Sequence, residues 1–159
     1  MITETSRVER ARDLLDRVVD PDIPFLTISD IAILRGVEIN DSGAVTVTIT
    51  PTYSGCPAMG TITSDIHTVL AEGGFEDVTV DTVYSPAWTT EWMSDEAKRK
   101  LAMNRIAPPD SVLSVVPEVL CPLCSSGKIN TVSEFGSTAC KSLMVCTDCG
   151  EPFDYFKAI

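Results

Sequence analysis

Ala44-Val45-Thr46-Val47-Thr48-Ile49-Thr50-Pro51-Thr52-Tyr53-Ser54-Gly55-Cys56-Pro57 is the stretch that decides the fold of the first part of the chain. Val45, Val47 and Ile49 alternate with Thr46, Thr48 and Thr50, the period of two that turns one strand face inward and the other outward. Residues 51–56 break that period and read as a loop. Pro57 suits the first turn of a helix, where its missing N–H is no loss. Met59, Ile62, Ile66, Val69 and Leu70 then recur at helical spacing until Gly73-Gly74 supplies a stop. The order is strand, thiol-bearing loop, helix.

Working outward, Asn40-Asp41-Ser42-Gly43 is a hairpin signal that joins a strand over 33–39 to the strand over 44–50. Ser6 and Glu9 form a capping-box pattern. Val8, Ala11, Leu15, Val18 and Val19 predict an amphipathic helix over 6–19, ended by Asp20-Pro21-Asp22-Ile23-Pro24. Residues 77–83 read as a third strand, and Ser94 caps a third helix that runs through Arg105. Helix–strand–strand–helix–strand is an α+β arrangement, a small mixed sheet with helices on one face.

The chain has 159 residues, 44% hydrophobic and 22% charged, enough to bury a core. Its net charge of -11 gives no general attraction to phosphate backbones or anionic lipid, so neither nucleic acid nor membrane is an expected partner. No apolar run approaches the roughly 18 residues of a membrane span. The first residues lack the apolar core of a signal peptide, so a cytoplasmic, reducing location is expected. Self-association stays open.

Cysteine use divides the chain. Cys56 stands apart, while Cys121, Cys124, Cys140, Cys146 and Cys149 crowd the tail. Between them Pro108-Pro109 cannot continue a helix and favours a stiff, extended connection. The expected border falls at 108–117, with one domain over 1–108 and a second over 117–159. The tail has β-rich segments near 129–135 and 142–145 and no long periodic helix. So short a module needs a staple to fold.

Cys121-Pro122-Leu123-Cys124 and Cys146-Thr147-Asp148-Cys149 are two C-x-x-C knuckles 21 residues apart. Each brings two thiolates onto one ion, and two such turns complete a tetrahedral site. Cys121, Cys124, Cys146 and Cys149 are the expected metal ligands. Zinc leads, ahead of a mononuclear iron or a cluster. With four protein ligands the site is closed and structural. Cys140 reads as a buried small residue, with an alternative ligand or a reactive thiol as the other readings.

Cys56 sits where a helix begins. The amides and partial positive charge there are expected to lower a thiol's pKa and favour thiolate. It could bind a metal, hold a cluster in transit or act as a nucleophile; a buried structural cysteine is the alternative. No acid or base lies near it in sequence to make a catalytic residue of it. His67, the sole histidine, reads as a partly exposed helix residue. Asp20 and Asp22 read as Asp-Pro turn chemistry, with a carboxylate pair as the other reading. Trp88 and Trp92 occupy one Pro-containing loop, either as packing or as anchors for a partner. Phe153-Asp154-Tyr155-Phe156 is an aromatic cluster suited to closing the core of the tail. No phosphate-binding glycine loop, Ser-His-Asp arrangement or di-iron Glu-x-x-His motif is present.

Several long stretches closely resemble one family. They are Asp20-Pro21-Asp22-Ile23-Pro24, the run from Thr50 to Met59 around Cys56, Ser85-Pro86-Ala87-Trp88-Thr89-Thr90-Glu91-Trp92-Met93, and Ile106-Ala107-Pro108-Pro109. Phe135-Gly136-Ser137-Thr138-Ala139-Cys140-Lys141 and Glu151-Pro152-Phe153-Asp154-Tyr155-Phe156-Lys157 belong with them. Together they resemble the PaaD (PaaJ) family of bacterial phenylacetate degradation over nearly the whole chain. The resemblance implies an iron–sulfur cluster assembly-like α+β domain followed by a C-terminal zinc β-ribbon. It further implies a role beside the monooxygenase that epoxidises phenylacetyl-CoA, with its oxygenase and reductase subunits as partners. In that role the chain helps an iron or iron–sulfur centre to mature and does not perform the epoxidation; the alternative is a non-catalytic scaffold subunit. The implied cofactors are a structural zinc and a transiently held iron or iron–sulfur cluster. Carried over by position, Cys56 matches the assembly-domain cysteine and Asp20 opens its Asp-Pro motif. Two positions depart from the family pattern: Asp22 stands where glutamate is common, and Asp30-Ile31-Ala32 stands for Asp-Leu-Gly.

Overall fold

The computed structural model describes residues 4–114 and 118–159. The chain forms two compact units, Met1–Trp88 and Thr89–Ile159. The border expected at 108–117 therefore lies inside the second unit. Ile106 and Ala107 form a strand that pairs with the tail, and this draws the segment before Pro108 into the ribbon.

The first unit runs α1 (Glu4–Leu15), β1 (Val19–Asp20), β2 (Ile23–Thr27), β3 (Leu34–Ile39), β4 (Val45–Ile49), α2 (Ala58–Glu72) and β5 (Val78–Thr82). β1 and β2 make a small antiparallel pair. The second sheet has the order β3-β4-β5, with β3 antiparallel and β5 parallel to β4. A parallel neighbour needs a crossover, and α2 supplies it. The alternation read from sequence holds: Val45, Val47 and Ile49 are buried, while Thr46 and Thr48 are half-buried. α1 packs on β3 and α2, and α2 on β5. Ala11, Leu15, Ile33, Ile62, Ile66 and Leu70, all fully buried, build the core.

Gly73-Gly74 closes α2 as a Schellman motif. Phe75 N–H donates to Leu70 O (3.0 Å) and Gly74 N–H to Ala71 O (2.9 Å), with Gly74 at φ +83°. α1 begins before Ser6, which lies inside its first turn and not at its cap, and it ends at Leu15, short of Val19. β-Branched Val18 and Val19 together with Pro21 favour extended backbone there, and β1 results.

The turn before β3 carries a local strain. Thr27 Oγ1 accepts from Asp30 N–H and Asp30 Oδ2 from Thr27 N–H, both at 3.0 Å. The chain then leaves through Ala32 at φ +54°. A Cβ at such a φ costs roughly 1–2 kcal/mol, partly offset by the greater chain entropy that glycine would lose. Ala32→Gly is therefore expected to stabilise the first unit by about 0.5–1 kcal/mol in denaturant unfolding. A loss of stability would show that this backbone is not the folded conformation.

In the second unit a 3₁₀ turn (Thr90–Trp92) precedes α3 (Asp95–Met103), β6 (Ile106–Ala107), β7 (Ile129–Ser133), β8 (Lys141–Cys146) and β9 (Pro152–Phe156). Ser94 Oγ accepts from Ala97 N–H (3.0 Å), the expected cap. α3 stops at Met103, short of Arg105, because the chain turns left-handed at Arg105 (φ +62°). The strands form one sheet, β6-β9-β8-β7, with β6 parallel to β9 and the other pairs antiparallel. The sequence showed neither β6 nor β9 as a strand. The Phe153–Phe156 aromatic cluster is β9 itself, and Phe153 and Tyr155 join Ala107, Cys121 and Cys146 in the ribbon core.

Candidate metal centre and thiol site

Two loops in the second unit share one backbone design. In the first, Cys121 N–H donates to Ser126 O (2.9 Å) and Ser125 N–H to Cys121 O (2.8 Å). In the second, Cys146 N–H donates to Glu151 O (3.0 Å) and Gly150 N–H to Cys146 O (2.8 Å). Each turn closes through a left-handed residue, Ser125 at φ +60° and Gly150 at φ +78°. The result places the sulfurs of Cys121, Cys124, Cys146 and Cys149 within 4.8 Å of one another.

The distances test the fit of an ion. Cys121 Sγ lies 3.7 Å from Cys149 Sγ, and Cys124 Sγ 3.5 Å from Cys146 Sγ. A tetrahedron with arms of roughly 2.3 Å has edges near 3.8 Å. These separations match that geometry and are far too long for disulfides. Main-chain amides also face the sulfurs. Those of Cys149 and Asp148 lead in holding the Cys146 thiol down at about 7. The Ser126 amide lowers Cys124 as well, but its neighbouring sulfurs push it up to about 12. Four sulfurs this close oppose one another's ionisation; a divalent cation would let them ionise together, and the donor set fits zinc. Cys140 stands outside the cluster. It is buried, and its sulfur lies 3.0 Å from Thr138 Oγ1.

In the first unit Cys56 occupies the loop between β4 and α2. Gly55, at φ +82°, makes the turn that delivers it. Cys56 N–H donates to Tyr53 O (3.2 Å), and Met59 N–H to Cys56 O (3.4 Å). The side chain is half-buried. The Ala58 amide and the Tyr53 hydroxyl hydrogen-bond its sulfur, as expected at a helix start. The expected low pKa does not follow, however. Burial is the largest influence and raises the pKa, and the carboxylates of Asp20 and Asp22 push it higher still. The resting group is a protonated thiol. Sequence reading missed this pairing because the acids lie more than thirty residues upstream and only the fold brings them near.

Asp20 also does the turn work read from sequence. It is 8% exposed, and its Oδ1 accepts from Asp22 N–H (2.8 Å) and Ile23 N–H (3.0 Å). Asp20→Asn keeps that acceptor and removes the charge. We expect it to lower the Cys56 pKa and to speed alkylation by iodoacetamide at pH 7.5 about three- to tenfold. An unchanged rate would separate Asp20 from the thiol.

The tryptophans part company. Trp88 is 4% exposed and its Nε1–H donates to Ile31 O (2.8 Å). It is a core residue, and its reading as a partner anchor is corrected: the indole is spent on filling the first unit. Trp92 is half-buried, and His67 is an exposed helix residue. Among the described residues no helix is long and apolar enough to cross a membrane.

Comparison with known proteins agrees with both halves. Residues 106–157 match the PaaD zinc beta ribbon domain, and residues 9–82 match a family described as iron-sulfur cluster assembly protein. A protein of Escherichia coli (strain K12), named as one of the subunits of a 1,2-phenylacetyl-CoA epoxidase, is 45% identical over 149 residues, 92% of this chain and 90% of its own. The Fe-S protein maturation auxiliary factor SufT of Staphylococcus aureus (strain USA300) is 36% identical over 55% of this chain and 99% of its own. A solved domain of unknown function from Bacillus anthracis superposes with a TM-score of 0.59 at 27% identity, covering 63% of this chain and 95% of that one. With a relative this similar along nearly its full length, and with a matching zinc ribbon behind a matching assembly domain, the chain belongs to the PaaD family of phenylacetyl-CoA epoxidase subunits.

Proposed function

We propose that this chain is an accessory, maturation subunit of the phenylacetyl-CoA epoxidase system, and that it assists assembly of an iron or iron–sulfur centre in that system. Its partners on this reading are the oxygenase and reductase subunits, and its site of action is the cytoplasm. The observation that carries the proposal is Cys56: a half-buried thiol at the head of α2, beside two carboxylates, in a domain that matches an iron–sulfur assembly family. The likeness to proteins named as Fe-S maturation auxiliary factors supports it.

The chemistry follows from the local charges. Before cargo binds, burial first, and then the carboxylates of Asp20 and Asp22, keep the proton on Cys56. Iron, as cargo, reverses that balance. The same carboxylates attract the cation, and the sulfur releases its proton to water as it binds. The empty thiol is thereby guarded against oxidation, which attacks the thiolate. In the second unit Cys121, Cys124, Cys146 and Cys149 would hold zinc, which supplies folding free energy there and leaves no open position for chemistry.

A scaffold subunit without metal delivery is the second reading, and the resting protonated thiol favours it. Loading of the epoxidase in cells lacking this chain separates the two. Maturation predicts epoxidase subunits that assemble but carry depleted iron or cluster. A scaffold predicts fully loaded subunits that fail to co-purify.

A further inference from the structure

Two sulfur–sulfur distances of the metal centre cross from one knuckle to the other: Cys121 to Cys149, and Cys124 to Cys146. A C-x-x-C turn places its own pair of sulfurs, but neither turn by itself sets the distance between the pairs. The β7–β8 ladder brings the knuckles near and ends with Ile129 opposite Cys146. Beyond that end, Thr147 N–H and Thr147 Oγ1 both donate to Lys128 O, at 2.9 and 3.0 Å.

Asp148 then grips the first knuckle with both carboxylate oxygens. Ser126 Oγ donates to its Oδ2 (2.6 Å), and Lys128 Nζ donates to its Oδ1 (3.0 Å). Ser126 is itself bound into the first knuckle. Its carbonyl accepts from Cys121 N–H (2.9 Å), and its hydroxyl accepts from Lys128 N–H (3.1 Å). A continuous path of hydrogen bonds thus runs from the second C-x-x-C turn to the first. The position is unfavourable for a carboxylate in any other role. Asp148 stands between two ligand cysteines, where its charge repels the thiolates that hold a metal, and the matching residue of the first knuckle is Leu123. The ion pair alone does not account for it. Its Lys128 and Asp148 side chains are 73% and 43% exposed, and such pairs contribute little.

We propose that Asp148 is a positioning residue of the metal centre: its carboxylate locks the second knuckle onto the first at the separation a zinc-sized ion needs. Sulfur alone holds the ion, and Asp148 acts through Ser126 and Lys128. Knuckles locked in this way have less freedom to lose when the ion binds, so affinity rises. The lock also selects for ion size. The cross-knuckle separations of 3.7 and 3.5 Å sit at or below the zinc edge of roughly 3.8 Å. They leave no slack for cadmium, a larger ion that takes four thiolates at longer bonds.

The test loads the full chain with zinc, cadmium or cobalt(II) and measures each affinity by competition with a chromophoric chelator. Asp148→Ala is expected to weaken zinc about ten- to hundredfold and to move the zinc-over-cadmium ratio about three- to tenfold toward cadmium. The visible cobalt bands, which report how the four sulfurs are arranged, should shift. Ser126→Ala is expected to act in the same direction. The double variant should be little worse than Asp148→Ala alone, because both break one path. Asp148→Asn keeps one acceptor oxygen and should recover part of the zinc affinity. Glu96→Ala, which breaks the exposed ion pair with Arg99 in α3, should stay within about twofold. Ser126→Ala decides the matter should Asp148→Ala fail to fold. Equal losses of zinc and cadmium with unchanged cobalt bands would overturn the proposal, because the carboxylate would then serve only the stability of the ribbon. So would wild-type affinities in both Asp148→Ala and Ser126→Ala. A wild-type chain that binds none of the three ions would overturn the four-sulfur site and the lock together.

Discussion

Cys146→Ser is expected to reduce zinc from one ion per chain to near none and to unfold the ribbon, while the first unit stays folded. Cys146 is fully buried, and its sulfur is one of the four in the cluster. Serine offers a hydroxyl that does not ionise at neutral pH, so one arm of the tetrahedron is lost. Structural zinc contributes about 10–16 kcal/mol in small modules, as much as the whole stability of an ordinary domain. The ribbon has little else: its core is a handful of side chains around Phe153 and Tyr155. A strong chelator is expected to act as the mutation does. Hydrogen exchange should lose protection in β7, β8 and β9 and keep it in β4 and α2. Relatives almost wholly covered by 55% and 64% of this chain, together with the assembly-family match at residues 9–82, make independent folding of the first unit the expected behaviour. Cys140→Ser is the control and should retain its zinc, since that sulfur bonds Thr138 outside the cluster. Full zinc occupancy and an intact exchange pattern in Cys146→Ser would dismiss the four-sulfur site.

Cys56→Ser has the second large effect, on function and not on fold. The side chain is half-buried in a loop, so stability should change by less than about 1 kcal/mol. A serine oxygen is a poor ligand for iron at neutral pH, and transfer through this position should fall about a hundredfold or below detection. In cells lacking the native chain, the variant is expected not to support growth on phenylacetate and to leave the epoxidase underloaded. Because burial and the two carboxylates raise the thiol's pKa, alkylation of the wild type should be slow at pH 7, rise about tenfold per pH unit, and level off only above the usual thiol range. Normal growth with normally loaded subunits would refute the thiol's role and leave the scaffold reading standing.

The β4–α2 stretch was legible because its alternation and its helical period are local properties of consecutive residues. The two knuckles were legible for a related reason, since a C-x-x-C turn brings its own pair of sulfurs together. Trp88 was not. A tryptophan in a Pro-containing loop has the same local pattern whether it plugs a core or faces a partner, and only the bond to Ile31, 57 positions away, decides it. β6 and β9 escaped for want of a local signal. Two residues before Pro108 become a strand only when β9 lies alongside.

Sequence alone determined that this chain has a strand–loop–helix with a thiol at its turn and a small module organised by four cysteines. Both facts rest on spacings of a few residues, which backbone geometry converts directly into position. Tertiary structure decided the ionisation of Cys56. The helix start that should favour thiolate is outweighed by burial and by Asp20 and Asp22, which the fold brings near across more than thirty residues. Electrostatic energy depends on distance in space and on exclusion of water, and neither is written in the order of the residues.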